Sequence, residues 1–173
     1  SNDIQIYFKK LSKKHPTLKY NKYFVFWFAG YLNRRGSFNL IYGANIYPRI
    51  SIADEDTALL TLIQKKIGFG HFNPRKDELI FYSKEEVSII IDLINPLLFS
   101  DKKQKDFSQL LQAFNSRFKT NIPSETPKEE WFKETTFFKP FFTGFFEGGR
   151  YPFAFNYYQK TYRFFPVLSL IHI

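Results

Sequence analysis

The strongest constraint on how this chain can fold is a helix-length segment with no polar face. Tyr23, Phe24, Val25, Phe26, Trp27, Phe28, Ala29, Gly30, Tyr31 and Leu32 follow one another without a break. A helix that is apolar on every side must be covered on every side, so this segment belongs at the centre of a molecule. A second such segment runs from Phe137 to Phe146. Phe28-Ala29-Gly30-Tyr31-Leu32-Asn33 lines up with Phe142-Thr143-Gly144-Phe145-Phe146-Glu147 at an offset of 114 residues. Further on, Tyr47-Pro48-Arg49-Ile50-Ser51-Ile52 matches Phe165-Pro166-Val167-Leu168-Ser169-Leu170 at an offset of 118. Two matched blocks in the same order indicate a duplicated unit, with a longer hairpin in the second copy.

Around these blocks the residue pattern divides the chain. Residues 1–21, with Lys9, Lys10, Lys13, Lys14 and Lys19, read as a basic N-terminal extension that tracks phosphates or is a solvated tail. From Asn21 the first apolar helix runs to Asn33-Arg34-Arg35-Gly36, where glycine is expected to take a left-handed cap. Period-two alternation then places Phe38, Leu40, Tyr42 and Ile46 on one side and Ser37, Asn39, Ile41 and Asn45 on the other, as in a half-buried strand. A second strand is expected at Pro48 to Ile52. Asp54 reads as the N-cap of a helix with Glu55 and Asp56 in its first turn, ending at Gly68. Short strands near Phe69–Phe72 and Glu78–Tyr82 flank a turn at Asn73 to Asp77. Ser83-Lys84-Glu85-Glu86 is a capping box for a helix ending at Asn95-Pro96, and a further helix spans Lys103 to Phe118. Pro123 and Pro127 mark residues 119–136 as a linker. The second copy fills 137–173, with strands expected at Pro152–Tyr158 and Tyr162–Leu170.

The formal net charge of +9 over 173 residues calls for an anionic partner or a basic solvated surface. With no cysteine, disulfides, thiolate metal sites and cysteine nucleophiles are excluded. His15, His71 and His172 are too scattered for a zinc site. No apolar run reaches membrane-spanning length, and no signal peptide is apparent. Phe, Tyr, Ile, Asn and Lys are residues that A/T-rich codons supply, which suggests an organellar, mitochondrial source. The absence of methionine suggests a chain that starts downstream of its initiator.

The paired Gly-centred helices and their following strands resemble the two-repeat LAGLIDADG homing endonucleases and maturases. The resemblance implies an α+β fold: an αββαββα repeat over 22–118 plus a partial second αββ repeat, arranged around a pseudo-twofold helix pair. Ala29, Gly30, Thr143 and Gly144 would let the two helices approach closely. Each helix would end at an acid that holds a divalent metal against the scissile phosphates, and the strands would form saddle-shaped sheets along the nucleic acid.

This chain departs from that pattern where the chemistry would lie. Arg35 stands at the metal-binding position of the first motif and Gly149 at that of the second, with Arg150 in place of the final glycine. Glu147 occupies an earlier, non-catalytic slot. Metal-assisted hydrolysis needs carboxylates to hold Mg²⁺, whereas arginine repels a cation. The expectation is therefore a protein with no metal, no cofactor and no endonuclease activity. Arg34, Arg35 and Arg150 would form either a central cluster that binds phosphate or a set of tolerated surface replacements. On the solvent face of the first sheet, Ser37, Asn39, Asn45, Arg49, Ser51, His71, Asn73 and Arg75 are candidates to touch bases and phosphates.

The second repeat also breaks off at Ile173 where its own next helix should begin, leaving an apolar sheet for a neighbouring protein, an RNA surface or a separate fragment to cover. Two partners remain open. One is RNA, with the chain as a structural component of an organellar ribonucleoprotein such as the mitochondrial ribosome, contacting rRNA. The other is intron RNA or DNA, with the chain as a group I intron maturase or an endonuclease remnant.

Overall fold

Helix and antiparallel sheet combine as the α+β expectation requires, and the computed structural model describes residues 1–149. Their order is α1 (Asn2–Lys14), α2 (Lys22–Arg35), β1 (Gly36–Ile41), β2 (Tyr47–Ala53), α3 (Thr57–Ile67), β3 (His71–Phe72), β4 (Glu78–Phe81), α4 (Lys84–Ile94), α5 (Asp101–Phe118) and α6 (Thr135–Gly149). Short 3-10 turns follow α4 and precede α6. Arg150, the strands expected at Pro152–Tyr158 and Tyr162–Leu170, the second Pro-Ser block and the expected truncation of the second repeat lie outside the described residues.

The four strands form one antiparallel sheet in the order β1-β2-β4-β3. Ile50, Ile52, Leu79 and Phe81 point to one side and are fully buried beneath α3, α4 and α5. At the centre, α2 packs along α6. Their rings interlock, Phe26 lying 4.9 Å from Phe137 edge to face, in the geometry that aromatic quadrupoles favour. A Cβ on Gly30 would sit 1.8 Å from the Phe141 carbonyl oxygen, and one on Gly144 would sit 1.8 Å from that of Trp27. The offset of 114 carries Trp27 onto Phe141 and Gly30 onto Gly144, so this contact is its own image across a pseudo-twofold axis. Ala29 is buried beside it. Thr143 is not part of the contact: it is exposed, and its hydroxyl donates to the Lys139 carbonyl at 2.7 Å. One residue of rotation, about 100° around a helix, carries it away from the face that Gly144 presents.

Asn33, one turn beyond Gly30, ties this pair to the rest of the core. Its amide donates to the Ala29 and Leu97 carbonyls, both at 2.7 Å, and its oxygen accepts from Phe99 N–H at 3.0 Å. Satisfying every polar atom is what allows an amide to be fully buried.

Most helix ends follow their local chemistry. Asn21 caps α2, accepting from Phe24 N–H at 2.7 Å, Ser83 and Glu86 form the expected capping box, and Gly68 takes the left-handed cap at φ 91°. Two ends differ from expectation. Gly36 is extended, at φ −69° and ψ 137°, and opens β1. Its glycine answers a close approach, because a Cβ there would lie 2.6 Å from the Leu32 carbonyl oxygen. The N-cap of α3 is Asp56, accepting from Leu59 N–H at 2.9 Å, while Asp54 is buried and turned inward.

The first twenty residues, read as an extension, instead hold a docked helix. Ile4 and Leu11 of α1 are buried, the Tyr7 hydroxyl donates to the Leu93 carbonyl at 2.7 Å, and Lys14 and His15 meet Asp92 at 3.0 and 2.5 Å. Burial, reinforced by Asp92, holds the Tyr7 phenol far above its ordinary range. Likewise the stretch read as a linker contributes Trp131 and Phe132 to the core. No described helix is long and apolar enough to cross a membrane.

Candidate nucleic-acid interface

Strand register determines which polar residues share a surface. Ser37 pairs with Ser51 and Asn39 with Arg49 across β1 and β2. Ser51 pairs with Ile80, and Ile80 with His71. Directly paired residues project to the same side, so Ser37, Asn39, Arg49, Ser51 and His71 lie on the sheet face opposite the helices. Ser37 and His71 are exposed, and Asn39 and Arg49 partly so. Ser51 departs from expectation at 4% exposure, its short side chain lying in the middle strand row between neighbours. Arg49 keeps a buried Nε with no hydrogen-bond partner among the described residues. The His71 ring lies 5.0 Å from that of Tyr82, with Nε2 3.5 Å from Glu86 Oε1.

Three further sequence candidates fall elsewhere. Asn73 builds the β3–β4 turn: its oxygen accepts from Asp77 and Glu78 N–H at 3.1 and 3.0 Å, and its amide donates to Asp77 Oδ1 at 2.6 Å. Those bonds leave it little capacity for a base. Arg75 is exposed at the tip of that turn. Asn45 lies in the β1–β2 loop rather than in a strand, and lines a groove against the end of α5. Lys9, Lys10 and Lys13 are exposed on α1, which rests on the helical layer through Leu93 and Asp92. They are therefore not gathered with the sheet face.

The junction of the two central helices lies where β1 begins. The Arg35 Nε donates to the Gly148 carbonyl at 2.6 Å, joining the C-terminal end of α2 to that of α6. Cations are favoured there because helix carbonyls collect partial negative charge at that end. Gly148 makes room, since a Cβ on it would meet Arg34 Cβ at 2.9 Å and Arg35 Cγ at 3.3 Å. The Arg34 guanidinium stands 5.6 Å from the centre of the Phe145 ring. Behind them Lys103, from the first turn of α5, donates to the Arg34 carbonyl at 3.4 Å and to the Gly36 carbonyl. Burial, with Arg34 close by, pushes the Lys103 amine down to about 8. Asp54 lies 4.0 Å from Arg35, and its carboxylate is engaged by the Tyr31 hydroxyl at 2.5 Å and Asp56 N–H at 2.9 Å. Glu147 is exposed. No cluster of three or more potential metal-ligating acids or histidines occurs among the described residues.

Arg34 and Arg35 are candidates from the sequence; Lys103, Asp54 and Tyr31, which the fold brings to the same junction, are not. Lys103 is one of several lysines in a polar first turn, and nothing in its neighbours marks it as buried. Asp54 carried a misleading signal, because an acid two residues ahead of the true cap satisfies the same pattern. Chemically, the junction offers guanidinium groups and an ammonium at the end of a sheet whose open face is polar. That arrangement suits an anion with extended polar edges.

No family model matches the chain. A curated relative, described as probable intron-encoded endonuclease 4 of Neurospora crassa, is 30% identical over 108 residues, covering 58% of this chain and 19% of its own. The chain thus spans about a fifth of the length of that relative. Among solved structures it is similar to the LAGLIDADG homing endonuclease I-GzeII in complex with DNA target, at 24% identity and TM-score 0.46, over 58% of this chain and 37% of that one. It is also similar to the LAGLIDADG meganuclease I-CpaMI bound to uncleaved DNA, at 17% identity and TM-score 0.45, over 75% and 58%. Over those 108 residues the chain is similar in sequence to a probable intron-encoded endonuclease, and its own elements combine into an α+β fold.

Proposed function

From a LAGLIDADG-type fold we propose a protein that binds nucleic acid and does not cut it. The observation that carries this reading is the Arg35 guanidinium, which donates to the Gly148 carbonyl at 2.6 Å where the two motif helices end. By the resemblance, carboxylates would hold a divalent metal at that place. A guanidinium cannot ligate a cation, and the fields of Arg34, Arg35 and Lys103 oppose one. The same groups make charge-assisted bonds to phosphate. Arg35 therefore exchanges a hydrolytic centre for an anchoring one.

The partner we propose is RNA, with the chain a structural component of an organellar ribonucleoprotein such as the mitochondrial ribosome. The net charge of +9 supports it, and recognition of RNA by shape and phosphate contacts asks less of a sheet than a long specific DNA target does. The curated relative is described as a probable intron-encoded endonuclease, which favours a second reading, an intron maturase or a DNA-binding remnant in the same compartment. Crosslinking the native protein and sequencing what it retains separates the two: ribosomal RNA supports the first, and intron RNA or DNA replaces it with the second. For binding itself, Arg35→Gln should weaken affinity for the recovered nucleic acid about tenfold and reduce the salt slope by about one. Unchanged affinity and slope would remove the junction from the interface.

A further inference from the structure

A second cationic surface lies at the opposite end of β1 from the arginines. Lys103 ties the start of α5 to Gly36, the first residue of β1, and helix and strand run side by side from there, with Phe38 and Phe107 in ring contact. Five residues of strand at about 3.3 Å each place the end of β1 roughly 17 Å from the junction. There the last turns of α5 and the β1–β2 loop enclose a groove of about 810 Å³, within the usual range for ligand sites. Its lining includes the apolar Leu40, Ile46 and Phe118 and the amides of Asn45, Gln109 and Gln112. Both charged residues that line it, Arg117 and Lys119, are cations.

Three details make this more than a basic helix end. Ile41, Tyr42 and Ile46 are exposed together in and beside the loop, Tyr42 by 75%, and clustered exposed apolar side chains mark interaction surfaces. The Arg117 guanidinium is fixed over the Tyr47 ring at 4.6 Å and beside Phe118 at 5.5 Å, while Lys84 stands 5.5 Å over Phe118. Finally, Lys119 occupies a left-handed position, φ 55°, at the end of α5, where glycine would ordinarily be favoured.

We propose that this groove is a second nucleic-acid site, which takes a short unpaired stretch of RNA. Positive charge without lining acids selects a phosphate chain. Beside the groove, in the loop between its lining residues Leu40 and Asn45, the exposed Tyr42 ring offers a stacking surface that a duplex, with its base faces covered, cannot use. Side-chain amides are matched to base edges and to the 2′-hydroxyl, which acts as both donor and acceptor. The site is separate from the helix junction and does not depend on what the junction binds.

The test uses the full chain with fluorescently labelled ten-residue oligouridylate, its deoxy counterpart and a twenty-base-pair duplex. Lys119→Gly removes a charge at a position where glycine is the better cap, so its thermal midpoint should be equal or higher, which guards against a folding artefact. Combined with Tyr42→Ser, it should weaken oligouridylate binding at least tenfold and leave duplex binding within twofold, while the deoxy oligomer binds more weakly than RNA to the parent chain. Unchanged oligouridylate affinity in the double variant overturns the proposal, as does an equal loss for the duplex. Equal affinity of the parent chain for the two oligomers overturns the assignment to RNA.

Discussion

Lys103 shows how much of the candidate site depends on single side chains. It lies under Arg34 and Arg35 and donates to two carbonyls at the end of α2, and burial with its cationic neighbours pushes its amine down to about 8. In the unfolded chain the amine returns to its ordinary value of 10.5. Between these values the unfolded state binds more protons, so stability rises with pH, and the penalty is complete below the folded value. Over pH 8 to 9.5 the parent chain should therefore gain about 2 kcal/mol relative to Lys103→Met, at 1.36 kcal/mol per pH unit, read from urea denaturation at both pH values. Parallel stability curves would show that the amine is not held neutral by the fold. None of this was legible in the sequence, where Lys102, Lys103 and Lys105 look alike. Arg35 was legible, because a motif position fixes its place before any fold is known.

Among the elements, the α2–α6 pair could be read from the sequence almost completely. A segment without a polar face has one destination, and the offset of 114 that aligns the two motifs also describes the contact between Gly30 and Gly144. A methyl group at either position would meet a carbonyl oxygen at 1.8 Å, backbone against backbone, with no flexible side chain to yield. Gly30→Ala and Gly144→Ala should each destabilise the chain by about 3 kcal/mol or more, at the upper end for overpacked cores. Gly68→Ala, which meets nothing within 4 Å, should cost only the smaller strain of its positive φ. Thermal unfolding of the three variants tests this ranking, and equal losses would contradict the close approach. Side chains on the sheet were harder to foresee. Alternation placed Asn39, Arg49 and His71 on the open face, yet period two cannot reveal that Ser51 is covered or that Asn73 is occupied by its own turn.

Across the whole molecule, the N-terminal helix carries a signal of its own in the sequence. Ile4, Tyr7, Phe8 and Leu11 recur at helical spacing in the segment read as an extension, and the lysines between them hid an amphipathic pattern. The resulting helix α1 rests on α4 and the turn at Trp131, so its lysines add to the charge of the molecule rather than to the polar sheet. What remains is a folded unit with a basic junction at one end of the sheet, a polar open face, and a second cationic groove at the other end. By our proposal the junction anchors phosphate at the place where, by the resemblance, acids would hold a metal. It is tested most directly by incubating the full chain with its recovered nucleic acid, and with duplex DNA, in millimolar Mg²⁺ and Mn²⁺. Bound and intact strands are expected under every condition; metal-dependent cleavage that Glu147→Gln abolishes would overturn the anchoring role.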